Sequence, residues 1–215
     1  MRVYHFTTAE YGLENIRLRR LKIATLVDIN DPFELAVCCD DTQRRIALRG
    51  TRMEWGERFG MLCFSRSWRN PVQWSHYADK HRGFCLGFDV PNDMLAPVLY
   101  ADEPPALDWD AINEGGSRGE AEMLRWSCTK YTHWAYEDEL RVFSSLTDRS
   151  GKDLYFSDFG EHLRLREIIV GALSAVTRQE LAKALSKPNG VDMFKARLAF
   201  GNYRVVRQRD ASHWV

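Results

Sequence analysis

The sequence predicts an α+β fold: a mixed, mostly antiparallel sheet with flanking helices. Two observations carry that expectation. Segments with strand character outnumber helical ones, and they come in runs instead of alternating strictly with helices, which disfavours a doubly wound parallel sheet. The chain has 215 residues, 45% hydrophobic and 28% charged, so a folded core is expected, and the length suits one domain over residues 1–215.

Residues 2–7 alternate and are β-rich, so a strand opens the chain. Thr7-Thr8-Ala9-Glu10 fits a capping box, and Leu13 and Ile16 at helical spacing continue a short helix. Leu21 to Thr25 lead out of it. Asn30-Asp31-Pro32-Phe33 signals a turn, and residues 40–59 read as a helix. A buried strand is expected at 61–65, and a helix beginning with Pro71 at its first position follows. Residues 83–88 read as a strand whose glycines mark close backbone approach. After a short strand at 98–100, residues 101–119 form the best loop candidate, and 119–131 look helical. Strands are expected at 139–144, 154–156 and 165–171. A second capping box, Thr177 to Glu180, opens a helix ending near Pro188-Asn189-Gly190, and residues 200–207 form the last strand.

Lys+Arg and Asp+Glu each total 30, and a formal net charge of +0 gives no bulk attraction to nucleic acid or acidic membranes. Two local basic clusters, Arg17/Arg19/Arg20/Lys22 and Arg44/Arg45/Arg49/Arg52, keep a phosphate-gripping patch open. No secretory leader pattern is visible, and no apolar run approaches the ~18–20 residues of a spanning helix. Cys38, Cys39, Cys63, Cys85 and Cys128 are therefore expected to be reduced thiols in a cytoplasmic protein. No metal is expected. Cys38-Cys39 lacks the CxxC spacing, and His76 and His81, five apart, turn away from each other on a helix. Dinucleotide-binding GxGxxG, Walker A and GxSxG patterns are absent.

The segment Trp134-Ala135-Tyr136-Glu137-Asp138-Glu139-Leu140-Arg141 offers the densest chemistry. On a strand, Glu137, Glu139 and Arg141 share one face. Facing water, they make an ordinary solvated strand. Facing a cleft, the carboxylates crowd each other, and one acid should become harder to ionise, as acid–base work requires. Trp134 and Tyr136 could wall such a cleft. His5, opposite in facing to Tyr4 and Phe6, could pair with Thr7 to hold a ribose diol or a phosphate, although a lone histidine is more often a satisfied residue of a half-buried sheet and Thr7 is explained as a helix cap. Trp74 and Tyr77 share a helix face as core or as a stacking platform. Arg66, Arg69 and Arg82 suit phosphate oxygens or plain exposure.

Six blocks together resemble the bacterial family called domain of unknown function 2971: residues 4–7, Asn30 to Glu34, Cys63-Phe64-Ser65, Trp74 to Ala78, 83–88, and Trp134-x-x-Glu137-x-Glu139-x-Arg141. More distantly, the set is similar to ADP-ribosyltransferases of the His-Tyr-Glu type. That resemblance implies a split sheet holding NAD as co-substrate in a cleft. Glu139 would be the catalytic transfer glutamate, with Glu137 orienting the acceptor. His5, Thr7, Ser65, Trp74, Tyr77 and Arg141 would bind NAD. The acceptor would be nucleic acid or protein, in a toxin or phage-defence effector with an antitoxin or regulatory partner. The competing expectations are a nucleic-acid-binding or processing domain and a non-catalytic sensor or partner-binding module. A metal-dependent nuclease ranks low because no lysine stands near Glu137 and Glu139 in sequence.

Overall fold

The computed structural model describes residues 1–26, 29–31, 33–35, 41–147, 154–185 and 190–214. Strand β1 (Arg2–Thr7) leads through helix α1 (Ala9–Leu18) to β2 (Arg20–Thr25). Helix α2 (Thr42–Arg58) precedes β3 (Phe59–Ser65), and α3 (Pro71–Tyr77) precedes β4 (Phe84–Asp89). After a 3-10 turn at Asn92–Met94 come β5 (Ala96–Pro97), β6 (Leu99–Ala101), α4 (Trp109–Glu114), α5 (Gly116–Ser127) and β7 (Thr129–Tyr131). A second 3-10 turn, Thr132–Glu137, runs into β8 (Glu139–Ser145). The chain continues through β9 (Tyr155–Asp158), β10 (Arg164–Val170), α6 (Arg178–Leu185), β11 (Asp192–Leu198) and β12 (Val205–Arg207) to a 3-10 turn at Ala211–His213.

The main sheet runs β12-β11-β10-β4-β1-β3-β2-β9, with β8 added on β3 and β5 on β8. Its pairings are antiparallel except for β10 with β11, and β6 and β7 form a separate parallel pair. The fold is thus α+β with a mixed, mostly antiparallel sheet. One irregularity in it creates the site. β8 pairs with β3 along its whole length, from Phe59 opposite Ser145 to Ser65 opposite Glu139. The other edge of β3 is shared. β1 meets it at a single pair, Tyr4 opposite Ser65, while β2 meets it at Met61 and Gly60. Leu62, Cys63 and Phe64 therefore have no strand partner on that edge. The split in the sheet is this gap.

Three apolar clusters hold the layers. One, including Val3, Leu86 and Ile168, packs the sheet against α1 and α6; a second, around Trp68 and Trp74, lies under α3; a third, including Leu48 and Trp126, lies between β3 and helices α2 and α5. Gly83 is required at the entry to β4, where a Cβ would sit 2.1 Å from the Thr7 carbonyl oxygen.

Several local expectations change. The cap of α1 is Thr8, whose hydroxyl accepts from the Tyr11 N–H, so Thr7 stays within β1. The capping box at Thr177 and Glu180 is reciprocal: the Glu180 N–H donates to the Thr177 hydroxyl at 3.2 Å, and the Thr177 N–H donates to Glu180 at 2.8 Å. The end of that helix, residues 186–189, lies outside the described residues, as do Cys38, Cys39 and Pro32. The loop expected at 101–119 contains α4, capped by Asp108, and the expected helix at 119–131 stops at Ser127 because 129–131 pair with β6. The closing strand is really a hairpin, with β11 before it and residues 199–204 as its turn.

Candidate functional site

A cavity of about 220 Å³ occupies the gap. β1 lines it with Tyr4, His5 and Phe6, and β3 with Met61, Cys63, Phe64 and Ser65. Gln73 and Tyr77, four apart on α3, close another side. Glu34, Lys130, Glu137, Glu139 and Arg141 form its charged wall. Of the residues singled out from sequence, His5, Ser65, Tyr77, Glu137, Glu139 and Arg141 are brought together here. Residues more than a hundred positions apart thus meet because β1, β3 and β8 are neighbours.

Two are not brought in. Trp74 is fully buried, donates its indole N–H to the Trp68 carbonyl at 2.6 Å, and meets Phe6 edge-on. Gln73 and Tyr77 take the cavity side of α3, which leaves Trp74 turned into the core. Thr7 is buried opposite Phe84 and does not line the cavity. The Trp134/Tyr136 wall also differs from expectation. Trp134 packs its ring 4.9 Å from the Lys130 ammonium, and the Tyr136 hydroxyl is 2.8 Å from His76 Nδ1. Neither residue lines the cavity.

Glu137 is also off the strand. It ends the 3-10 turn, and Asp138 follows at a φ of 45°, in the left-handed region, before β8 begins at Glu139. Strand alternation is therefore not why Glu137 and Glu139 converge. The tight turn swings Glu137 back over the start of β8. Asn70 caps α3 by accepting from the Val72 N–H at 2.9 Å and donates to the Tyr136 carbonyl at 2.9 Å, which ties α3 to that turn.

The charged wall is a buried cluster. Arg141 Nε donates to Glu139 Oε1 at 2.9 Å and its terminal nitrogen to Oε2 at 3.1 Å. Arg141 also meets Glu34 and the Ser127 carbonyl. The Lys130 ammonium lies 2.7 Å from Glu137, 3.3 Å from Glu139 and 3.5 Å from Glu34. Burial alone would push the Glu139 carboxyl up, but the Arg141 and Lys130 charges outweigh it and hold Glu139 down at about 2. For Glu34 the balance reverses: burial outweighs the same two cations and raises it. Lys130 and Arg141 are held more firmly protonated, because their carboxylate neighbours outweigh the cost of burial.

Lys130 and Glu34 were not legible as site residues. Lys130 fell at the end of the expected helix over 119–131, and Glu34 entered only as the last residue of the Asn30 to Glu34 block of the family resemblance. Lys130 also corrects the reason given against a nuclease, since a lysine does stand against Glu137 and Glu139. It fills the space between the three carboxylates that a divalent ion would need. Among the described residues, no group of three or more His, Cys, Asp or Glu side chains is arranged to hold a metal ion.

The neutral side of the cavity is also specified. The His5 ring is 3.1 Å from the Cys63 carbonyl oxygen, one of the groups the split sheet leaves without a strand partner. That contact puts the proton on Nδ1 and leaves Nε2 as an acceptor. Burial lowers the His5 pKa, favouring this neutral form. Burial pushes the Cys63 thiol well up, so it is a poor nucleophile. The Ser65 hydroxyl is committed: it donates to the Ser67 carbonyl at 3.0 Å and accepts from Gln73 at 3.1 Å. Gln73 Nε2 also donates to the Glu137 carbonyl at 2.6 Å, which fixes the amide's orientation. Its Oε1 is buried and has no hydrogen-bond partner among the described residues. Tyr77 donates to Glu137 and accepts from Asn30 at 3.0 Å.

Residues 73–142, about a third of the chain, match a family described as Protein of unknown function (DUF2971). The match runs from within α3 to within β8 and includes Gln73, Tyr77, Lys130, Glu137, Glu139 and Arg141. No curated protein and no solved structure matches the chain.

Proposed function

We propose that the cavity takes the nicotinamide-ribose end of NAD and that the chain is an ADP-ribosyltransferase. One observation carries the reading: His5, Tyr77, Glu137 and Glu139, from separate segments, line the same cavity. At about 220 Å³ it is smaller than the ~300–1,000 Å³ usual for whole drug-sized ligands. It suits a pyridine carboxamide and part of its ribose, with the rest of the dinucleotide outside. Tyr77, Phe6 and Phe64 supply apolar faces for a flat cationic ring. Gln73 Oε1 lacks a donor that the carboxamide N–H would supply, and His5 Nε2 is free to accept from a ribose hydroxyl.

In the reaction, the bond between the ribose anomeric carbon and the ring nitrogen breaks. Its electron pair goes to the nitrogen, and nicotinamide leaves neutral. Positive charge grows on the sugar, and the ionised Glu139 stabilises it. The acceptor attacks the anomeric carbon with Glu137 orienting it, and its proton passes to solvent. Arg141 and Lys130 keep Glu139 charged, and Lys130 holds Glu137 in place.

A non-catalytic reading has one observation in its favour: every carboxylate oxygen of Glu137 and Glu139 already has a cation or hydroxyl partner. Incubation with NAD separates the two. The transferase reading expects nicotinamide release that falls at least about a hundredfold in Glu139→Gln, the scale of losing one charge-stabilising group. Release unaffected by that substitution would remove Glu139 from its role.

A further inference from the structure

The hairpin at the end of the main sheet differs from the rest of the surface. β11 and β12 pair from Ala196 opposite Arg207 to Leu198 opposite Val205. The Ala199 N–H then donates to the Arg204 carbonyl at 3.0 Å, which closes a four-residue tip, Phe200-Gly201-Asn202-Tyr203. Phe200 is 97% exposed and Tyr203 96%, more than any other large apolar side chain described. Neither ring contributes burial to the fold, so two large aromatic rings project into solvent from one hairpin tip.

The same hairpin gathers positive charge. Residues 195–209 contain Lys195, Arg197, Arg204, Arg207 and Arg209 and no acid, in a chain whose formal net charge is +0. Arg207 is spent on Asp192, at 2.5 and 3.0 Å, and Lys195 on the Ser174 carbonyl at 3.0 Å. Arg204 and Arg209 are exposed and have no carboxylate partner among the described residues. Arg197 donates to the Leu198 carbonyl at 3.0 Å and lies over the Phe200 ring, 4.9 Å from its centroid, so it steadies the tip.

We propose that this hairpin binds single-stranded nucleic acid, with Phe200 and Tyr203 stacking on bases and Arg204 and Arg209 meeting phosphates. Exposed aromatic rings beside the Arg204 and Arg209 guanidinium groups match the two surfaces a single strand offers, and a duplex hides its base faces. An acidic protein segment would satisfy the arginines and leave the rings without a purpose. The hairpin does not line the cavity, so this binding stands whether or not the cavity takes NAD.

Fluorescence anisotropy tests it, using labelled oligo-U and oligo-dT of about 12 nucleotides, within the usual site sizes, and a duplex of equal length at low salt. Single strands are expected to bind at least tenfold more tightly than duplex, by the roughly 1–3 kcal/mol that stacking supplies per base. Phe200→Ala with Tyr203→Ala should weaken single-strand binding by about tenfold or more at an unchanged melting temperature, since both rings are exposed. Arg204→Ala should reduce the slope of log affinity against log salt by about 0.7. No binding by the unaltered protein would overturn the proposal. So would binding indifferent to the double aromatic substitution, or competition by polyglutamate as effective as by the oligonucleotide.

Discussion

Removing the Lys130 ammonium would leave Glu34, Glu137 and Glu139 facing Arg141 as their remaining cation in the cluster. The Lys130 side chain is 4% exposed, so bulk solvent would screen the three carboxylates only weakly in its place. Lys130→Met should cost about 3–5 kcal/mol, the range for breaking a buried ion pair from one side, measured as a fall in the urea midpoint. A loss under about 1 kcal/mol would mean that the cluster is far wetter than its burial indicates. The same residue shows a limit of reading the sequence. Strand alternation directed attention to Glu137, Glu139 and Arg141, which do converge. Lys130 has no such pattern. It precedes Glu137 by seven positions, and only the 3-10 turn between them returns the chain to it. Gln73 gave no signal either, because its role depends on two backbone carbonyls brought from the opposite side of the site.

At the level of elements, α3 and the Thr132–Glu137 turn act as a pair. Asn70 joins them through one side chain, so Asn70→Ala removes both a helix cap and an inter-element bond. A cost of about 2 kcal/mol is expected, at the upper end for a lost cap. Nicotinamide release should fall with it, because Tyr77 and Glu137 ride on the two elements. Full activity at reduced stability would show that their alignment does not matter. Elements with local signals were legible: the alternation of β1, the apolar run of β3, Pro71 at the start of α3, and the capping box of α6. The gap between β1 and β2 along β3 was not, because a ladder's partners are set by segments distant in sequence. Asp108 as the cap of α4 was obscured by the prolines and glycines around it.

For the molecule as a whole, the buried cluster ties stability to pH. The Glu139 pKa falls from an ordinary 4.5 to about 2 on folding, so its contribution is complete above pH 4.5 and is lost as the pH falls toward 2. His5 acts in the same direction: its depressed pKa gives stability above 6.5 that is lost as the pH falls through the folded value. Glu34 opposes them, since its raised pKa gives stability below 4.5 that is lost as the pH rises through the folded value. Melting temperature should therefore drop steeply below pH 4.5, and thermal melts of Glu139→Gln should show a shallower acid limb. An unchanged limb would mean that Glu139 is not held as an ion pair. The main claim concerns the cavity in the split sheet, and a calorimetric titration of the folded protein with NAD tests it most directly. The expected result is saturable one-to-one binding, competed by free nicotinamide and weakened about tenfold by Tyr77→Ala, the scale of one lost stacking contact. Absence of binding, or binding that Tyr77→Ala leaves unchanged, would contradict the account.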